Sequence, residues 1–221
     1  MKQNKSKRKI IHGGNESQVL ILCHDKKVKL TEVDGKPKLE NHWIVELDPN
    51  VAELFTGLGK TTIDTVDIKE GGTFEKRDAF NHDFIKEHLD EYDLILVPDC
   101  SGPWGDLQLE KKYDEFLKLC VNLTKMLKSN GTIMFSKFYN IENVTIKYVT
   151  YERLIDAVIS TLKKNGFVTE ETKAIAMGGP MLIVKKCTTN CAIMGGKKRN
   201  KTKKRRYSRH RIYASSISII E

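Results

Sequence analysis

The chain has 221 residues, with 38 Lys and Arg against 29 Asp and Glu, and a formal net charge of +9. Its longest clean apolar runs, such as Val19-Leu20-Ile21-Leu22-Cys23, hold four or five residues, which excludes a membrane-spanning helix. The charge is uneven: residues 1–10 carry +5 and 197–212 carry +10, neither with any acid, while 11–196 carry −5, so a mildly acidic domain has two basic ends.

No long apolar segment with a small-residue cleavage site follows the basic start, so no secretory signal is expected. The five cysteines (Cys23, Cys100, Cys120, Cys187 and Cys191) are odd in number and widely spaced. That argues against a disulfide framework and for a reducing, intracellular setting, cytoplasmic or nuclear. Cys187 and Cys191 have no second ligand pair nearby, so they are read as plain thiols and no metal site is expected.

In chain order, residues 1–16 are polar and basic and read as a disordered lead-in. Gln18–Cys23 is a short Val/Ile/Leu-rich run, the pattern of a strand buried on both faces. Val33-Asp34-Gly35-Lys36-Pro37 is a turn signal, and whether an extra hairpin forms over 28–47 is left open. His42–Leu47 predicts a strand, Val51–Leu58 a short helix stopped by Gly59, Thr61–Ile68 a strand and Asp83–Glu91 a short helix. Asp93–Val97 is a buried strand broken by Pro98.

The second half is more periodic. Glu110–Lys128 places Tyr113, Phe116, Leu117, Cys120, Leu123, Thr124 and Leu127 at helical spacing, with Asn130-Gly131 as a C-terminal signal. Thr132–Phe135 is the next strand, Tyr151–Asn165 a second amphipathic helix closed by Gly166, and Met181–Val184 a last strand after a Gly178-Gly179-Pro180 turn. Short apolar strands alternating with amphipathic helices predict an α/β domain over 17–187, with a mainly parallel sheet flanked by helices. Residues 188–221 form a basic, low-complexity tail.

Polar residues stand where the buried runs end: Cys23-His24-Asp25 after Val19–Leu22, Asp67 near the end of Thr61–Ile68, Asp99-Cys100-Ser101 after Leu94–Val97 and Ser136-Lys137 after Thr132–Phe135. In a parallel sheet these positions gather on its carboxyl edge, where open α/β sheets bind ligands. Asp25, Asp67 and Asp99 suit a ligand with ribose hydroxyls and a cationic centre, because a carboxylate accepts two hydrogen bonds from a vicinal diol. The glycine-rich turn that serves a dinucleotide pyrophosphate is missing after every strand. Gly57-Leu58-Gly59-Lys60-Thr61-Thr62 only superficially resembles a phosphate loop and reads as a helix stop. His24 is read as structural rather than as a base, and Trp104 as either a stacking platform for a ligand or a loop anchor.

Tyr92-Asp93-Leu94-Ile95-Leu96-Val97-Pro98-Asp99, then a long helix, then Leu127-Lys128-Ser129-Asn130-Gly131-Thr132-Ile133-Met134-Phe135, resembles the fourth and fifth strand region of class I S-adenosylmethionine-dependent methyltransferases. The helix ending in Gly166-Phe167 resembles that family's next element, and Thr65-Val66-Asp67-Ile68 its second strand. The resemblance spans about residues 18–186 and implies a Rossmann-like fold and S-adenosylmethionine as cofactor. It implies that Asp67 holds the cofactor ribose, with Asp48 as the other candidate for that acid, and that Asp78 and Ala79, in Arg77-Asp78-Ala79, flank the adenine. The family's glycine-rich first loop is degenerate here: Val19–Cys23 runs into His24-Asp25-Lys26-Lys27, so Cys23, His24 and Asp25 take its place. Asp99 and Lys137 would face the acceptor. They stand where RNA ribose 2′-O-methyltransferases carry a catalytic aspartate and lysine, although no late acid stands near Gly179-Pro180-Met181. Lys137 also reads as a solvated residue at a strand end.

The tail contains Lys197, Lys198, Arg199, Lys203, Lys204, Arg205 and Arg206 in one dense cationic run. Such a run attracts phosphate without sequence preference, so nucleic acid is the expected partner. Met194-Gly195-Gly196 followed by Lys/Arg/Thr-rich sequence is similar to C-terminal tails on proteins of large DNA viruses. Two functions are therefore expected as alternatives: a methyltransferase of unassigned acceptor, or a non-catalytic methyltransferase-like module brought to nucleic acid by its tail.

Overall fold

The computed structural model describes residues 16–42, 49–98, 100, 103–136, 138, 151–176 and 179–186. Its elements in chain order are β1 (Ser17–Leu22), β2 (Lys29–Val33), β3 (Lys36–Glu40), α1 (Pro49–Phe55), β4 (Thr61–Val66), α2 (His82–Glu87) and β5 (Tyr92–Val97). Then follow α3 (Pro103–Leu109), α4 (Tyr113–Lys125), β6 (Leu127–Ser136), α5 (Tyr151–Lys164), β7 (Val168–Ala176) and β8 (Gly179–Lys186).

Six strands form one sheet in the order β4-β1-β5-β6-β8-β7, in which β8 alone runs against the others. From β1 the chain passes to β4 on one side and then to β5 on the other, so the strand order reverses between β1 and β5. This is the Rossmann-like arrangement expected from the alternating strands and helices. Side chains alternate between two faces, as a period of two requires. Leu20, Leu22, Ile95, Val97, Ile133 and Phe135 pack with residues of α2 to α5, among them Phe84, Trp104, Phe116, Leu123 and Val158. Val19, Ile21, Leu94, Leu96 and Met134 pack on the other face with Val51 and Phe55 of α1 and with Val28 and Leu39 of the hairpin region. Burying each such side chain contributes about 1.5–3 kcal/mol, so the strands that the apolar runs predicted hold the fold together.

Several expectations are refined. The turn signal at 33–37 makes an antiparallel hairpin of β2 and β3, with Val33 opposite Lys36 and positive φ at Asp34 (52°) and Gly35 (73°), the combination a two-residue hairpin turn requires. The helix expected over Glu110–Lys128 is shorter, and α3 precedes it. It ends where the N–H of Met126 bonds the carbonyl of Leu123, and β6 begins at Leu127. Asn130 (φ 65°) and Gly131 therefore sit in a strand irregularity and do not cap a helix. A Cβ on Gly131 would stand 3.0 Å from the carbonyl oxygen of Tyr92, so glycine eases the close strand approach there. β7 escaped the sequence reading because it is an edge strand with no continuous apolar run. Of the strand expected over His42–Leu47, His42 is a bend after β3, and 43–47 lie outside the described residues, as do both basic ends. No helix among the described residues is long and apolar enough to cross a membrane.

Candidate functional site

β1 and β4 are paired in parallel, Leu22 opposite Val66, so the residues that follow them emerge side by side at the carboxyl edge. The ladder continues one step further, with the N–H of His24 donating to the carbonyl of Val66 at 3.2 Å. Here a cleft of about 520 Å³ opens, lined by Cys23, His24, Asp25 and Lys26 after β1, Asn41 and His42 after β3, and Asp67 and Lys69 after β4. Its volume lies within the range of small-molecule sites, roughly 300–1,000 Å³.

Three features shape this cleft. The first is the turn after β1. Cys23 has φ 56°, the left-handed conformation that favours glycine, and its sulfur is bonded to that of Cys100 beyond β5, with the Cα atoms 5.5 Å apart. The number and spacing of the cysteines argue against a disulfide framework and do not reveal this single pair. Its members are 77 positions apart in sequence, and the pairing of β1 with β5 brings them together.

The second feature is the loop after β4, which lies directly against the turn after β1. A Cβ on Gly71 (φ 114°) would come within 2.3 Å of the carbonyl oxygen of Asp25. One on Gly72 would stand 3.2 Å from that of His24 and 2.9 Å from Thr65 Oγ1. Glycines thus do permit a close backbone approach at this edge, but from the neighbouring loop. The same loop is pinned to the strand end by bonds from the N–H groups of Thr73 and Phe74 to the carbonyl of Thr65 at 3.1 and 2.9 Å.

The third feature is the hairpin, which reaches back over the edge. The His24 ring bonds the Asn41 carbonyl through Nε2 at 2.9 Å, and Asn41 Nδ2 donates to the Lys27 carbonyl at 3.3 Å. The rings of His24 and His42 lie 4.4 Å apart. Burial, and then repulsion from His24, lowers the His42 pKa from 6.5 to about 4, so this ring is neutral near pH 7.

The structure brings Cys23, His24, Asp25 and Asp67 to one cleft. Asp67 Oδ1 accepts from the Lys69 N–H at 2.8 Å, which fixes the carboxylate at the strand end, and its carbonyl accepts from the Arg77 N–H at 3.0 Å. Asp78 and Ala79 are not among the lining residues. Asp78 Oδ1 accepts from the Phe80 N–H at 2.9 Å in the turn before α2, and Ala79 packs in the core. Asp99, Lys137, the alternative acid Asp48 and the tail cations Lys197, Lys198, Arg199, Lys203, Lys204, Arg205 and Arg206 lie outside the described residues.

Trp104 is an anchor and no ligand platform. It is fully buried, stacks on Phe135 with centroids 5.4 Å apart, and donates from Nε1 to the Ser136 carbonyl at 3.1 Å. Ser136 Oγ in turn donates to the Val97 carbonyl at 3.0 Å, which ties the end of β6 to that of β5. Sequence reasoning missed Lys26, Asn41, His42 and Lys69 as lining residues. The hairpin turn was the one available signal, since it folds the chain back toward the end of β1. Among the described residues no group of three or more His, Cys, Asp or Glu is placed to hold a metal ion.

No family model matches the chain, and no curated protein matches it. Solved structures overlap it loosely. One is a Bordetella parapertussis protein described as a possible exported protein, at 16% identity and a TM-score of 0.36, which covers 64% of this chain and 51% of its own, so the chain spans about half of that protein. Another is the N-methyltransferase NodS from Bradyrhizobium japonicum, at 11% identity and a TM-score of 0.41, covering 78% of this chain and 86% of its own. A third is an S-adenosylmethionine-dependent methyltransferase from Methanosarcina mazei, at 10% identity and a TM-score of 0.40, covering 79% and 94%. Overlaps this loose leave the functional argument to the residues of the cleft.

Proposed function

We propose that this protein is an S-adenosylmethionine-dependent methyltransferase whose cofactor occupies the cleft between the ends of β1 and β4. One observation carries the reading: Asp25 and Asp67, from separate strands, meet at one cleft on the carboxyl edge, beside the point where the strand order reverses. The residues fit the group. Asp67 is fixed by the Lys69 N–H through Oδ1, and its Oδ2 suits a ribose diol. Asp25 offers a counter-charge to an ammonium or sulfonium, and Lys26 and Lys69 offer one to a carboxylate. The missing first-loop glycine is answered by Cys23, which holds the left-handed backbone itself.

The cofactor when bound would supply an electrophilic methyl group. The chain would bind it through Asp67, neutralise it through Asp25 and orient it against the turn at Cys23 and His24. Asp99 and Lys137 follow the next two strands and are proposed to face the acceptor. An acceptor hydroxyl beside a lysine loses its proton more readily, which aids attack on the methyl. Nucleic acid, attracted by the tail, is the acceptor class this reading favours.

Calorimetric titration with S-adenosylmethionine and S-adenosylhomocysteine tests the assignment. Binding is expected with both, and Asp67→Ala is expected to weaken it at least tenfold with folding intact. Equal affinity in that variant would show that another acid holds the ribose. No binding of either compound would favour the non-catalytic module delivered to nucleic acid by its tail.

A further inference from the structure

The bond between Cys23 and Cys100 joins the two strands between which the topology reverses, β1 and β5. Cys23 is the first residue after β1, lines the cleft and is partly exposed. Cys100 is fully buried, so a reagent from solvent reaches Cys23 first. A residue other than glycine at φ 56° is unfavourable unless its surroundings hold it there, and the link to Cys100 is such a hold. The carbonyls of the next two residues, His24 and Asp25, are those against which Gly72 and Gly71 pack, so this turn and the loop after β4 are in direct contact beside the cleft.

We propose that the Cys23–Cys100 pair is a redox latch on the cleft: bonded, it holds the turn after β1 in the ligand-accepting shape, and as two thiols it releases that turn. The proposal rests on the reading of the cleft as a cofactor site. Oxidation uses a low-molecular-weight disulfide. The Cys23 thiolate attacks one of its sulfurs, forms a mixed disulfide and expels one thiolate. Cys100 then loses its proton to solvent, and its sulfur attacks that of Cys23 and expels the second thiolate. Two protein thiols and one small disulfide thereby become one protein disulfide and two small thiols, with two electrons passed to the oxidant. A dithiol reductant reverses the sequence.

The test uses the full chain equilibrated with oxidised glutathione or with dithiothreitol, its thiols counted under denaturing conditions. S-adenosylhomocysteine is then titrated into each form. The oxidised form is expected to bind at least tenfold more tightly. Cys100→Ser is expected to match the reduced form in both buffers, and Cys120→Ala, which alters a buried cysteine of α4, to keep the redox response. Measurable and equal affinity in two forms whose thiol counts differ by two overturns the latch. Amide exchange over residues 23–27, measured without ligand, keeps the two readings apart. Faster exchange in the reduced form supports the latch even if neither form binds, a result that would remove the cofactor assignment alone. Identical exchange in both forms overturns the latch whatever the ligand does.

Discussion

The two edges of the six-stranded sheet handle charge in opposite ways. At the amino edge charged groups are tied into the fold. Asp93 Oδ2 accepts from the Gln18 N–H at 2.8 Å and from Lys128 Nζ at 2.6 Å, joining β5 to β1 and β6. Lys186, at the end of β8, donates to Asp90 Oδ1 at 2.6 Å and to the Leu127 carbonyl. At the carboxyl edge Asp25, Lys26, Asp67 and Lys69 line a cleft. Charges that close on one another add stability, while charges arranged around a space can meet a ligand. The residue types are alike at the two edges, so their placement in the fold, and not their identity, separates structural from functional roles.

The sharpest way to break this comparison is Gly71→Val. A β-branched side chain at φ 114°, with its Cβ driven toward the Asp25 carbonyl, is expected to cost about 3 kcal/mol in urea unfolding and to weaken ligand binding as well. A variant of wild-type stability and affinity would mean that the contact between the two loops does not shape the cleft.

His42 sets a smaller, pH-dependent effect at the same edge. Its pKa is about 4 in the fold and near 6.5 in the unfolded chain, so the unfolded state takes up the proton first as pH falls. This contribution is complete above pH 6.5 and is lost progressively down to pH 4. Denaturation midpoints across that interval should fall in the wild type and change less in His42→Phe. Parallel slopes would assign the acid sensitivity to other groups.

The smallest effect is expected at the amino edge. Asp93 and Lys128 are about one-third exposed, and Asp93→Asn should cost about 1 kcal/mol of stability without altering ligand affinity. A loss of affinity in that variant would join the two edges and end the distinction between them.

Much of the framework was legible in the amino-acid order. Val19–Leu22, Leu94–Val97 and Ile133–Phe135 announce buried strands because a strand covered on both faces needs apolar residues at consecutive positions. The apolar stripes of α4 and α5 are equally local. Asp25 and Asp67 could be placed on one edge because Asp25 comes just after the apolar run Val19–Cys23 and Asp67 near the end of the β-branched stretch Thr61–Ile68, and parallel pairing then aligns the strand ends. The double role of Asn130-Gly131 was not legible, since a helix stop and an irregularity inside a strand call for the same residues.

The order of residues by itself therefore determined the strands, the main helices and the polar edge, because these follow from periodicity over a few neighbouring positions. Tertiary structure alone decided that Cys23 meets Cys100, that His42 lies beside His24, and that Gly71 and Gly72 press on the turn after β1. Each of those contacts depends on which strands become neighbours and on how the hairpin and loops fold back over them. Such choices arise from packing the whole core at once, and no short stretch of the chain encodes them.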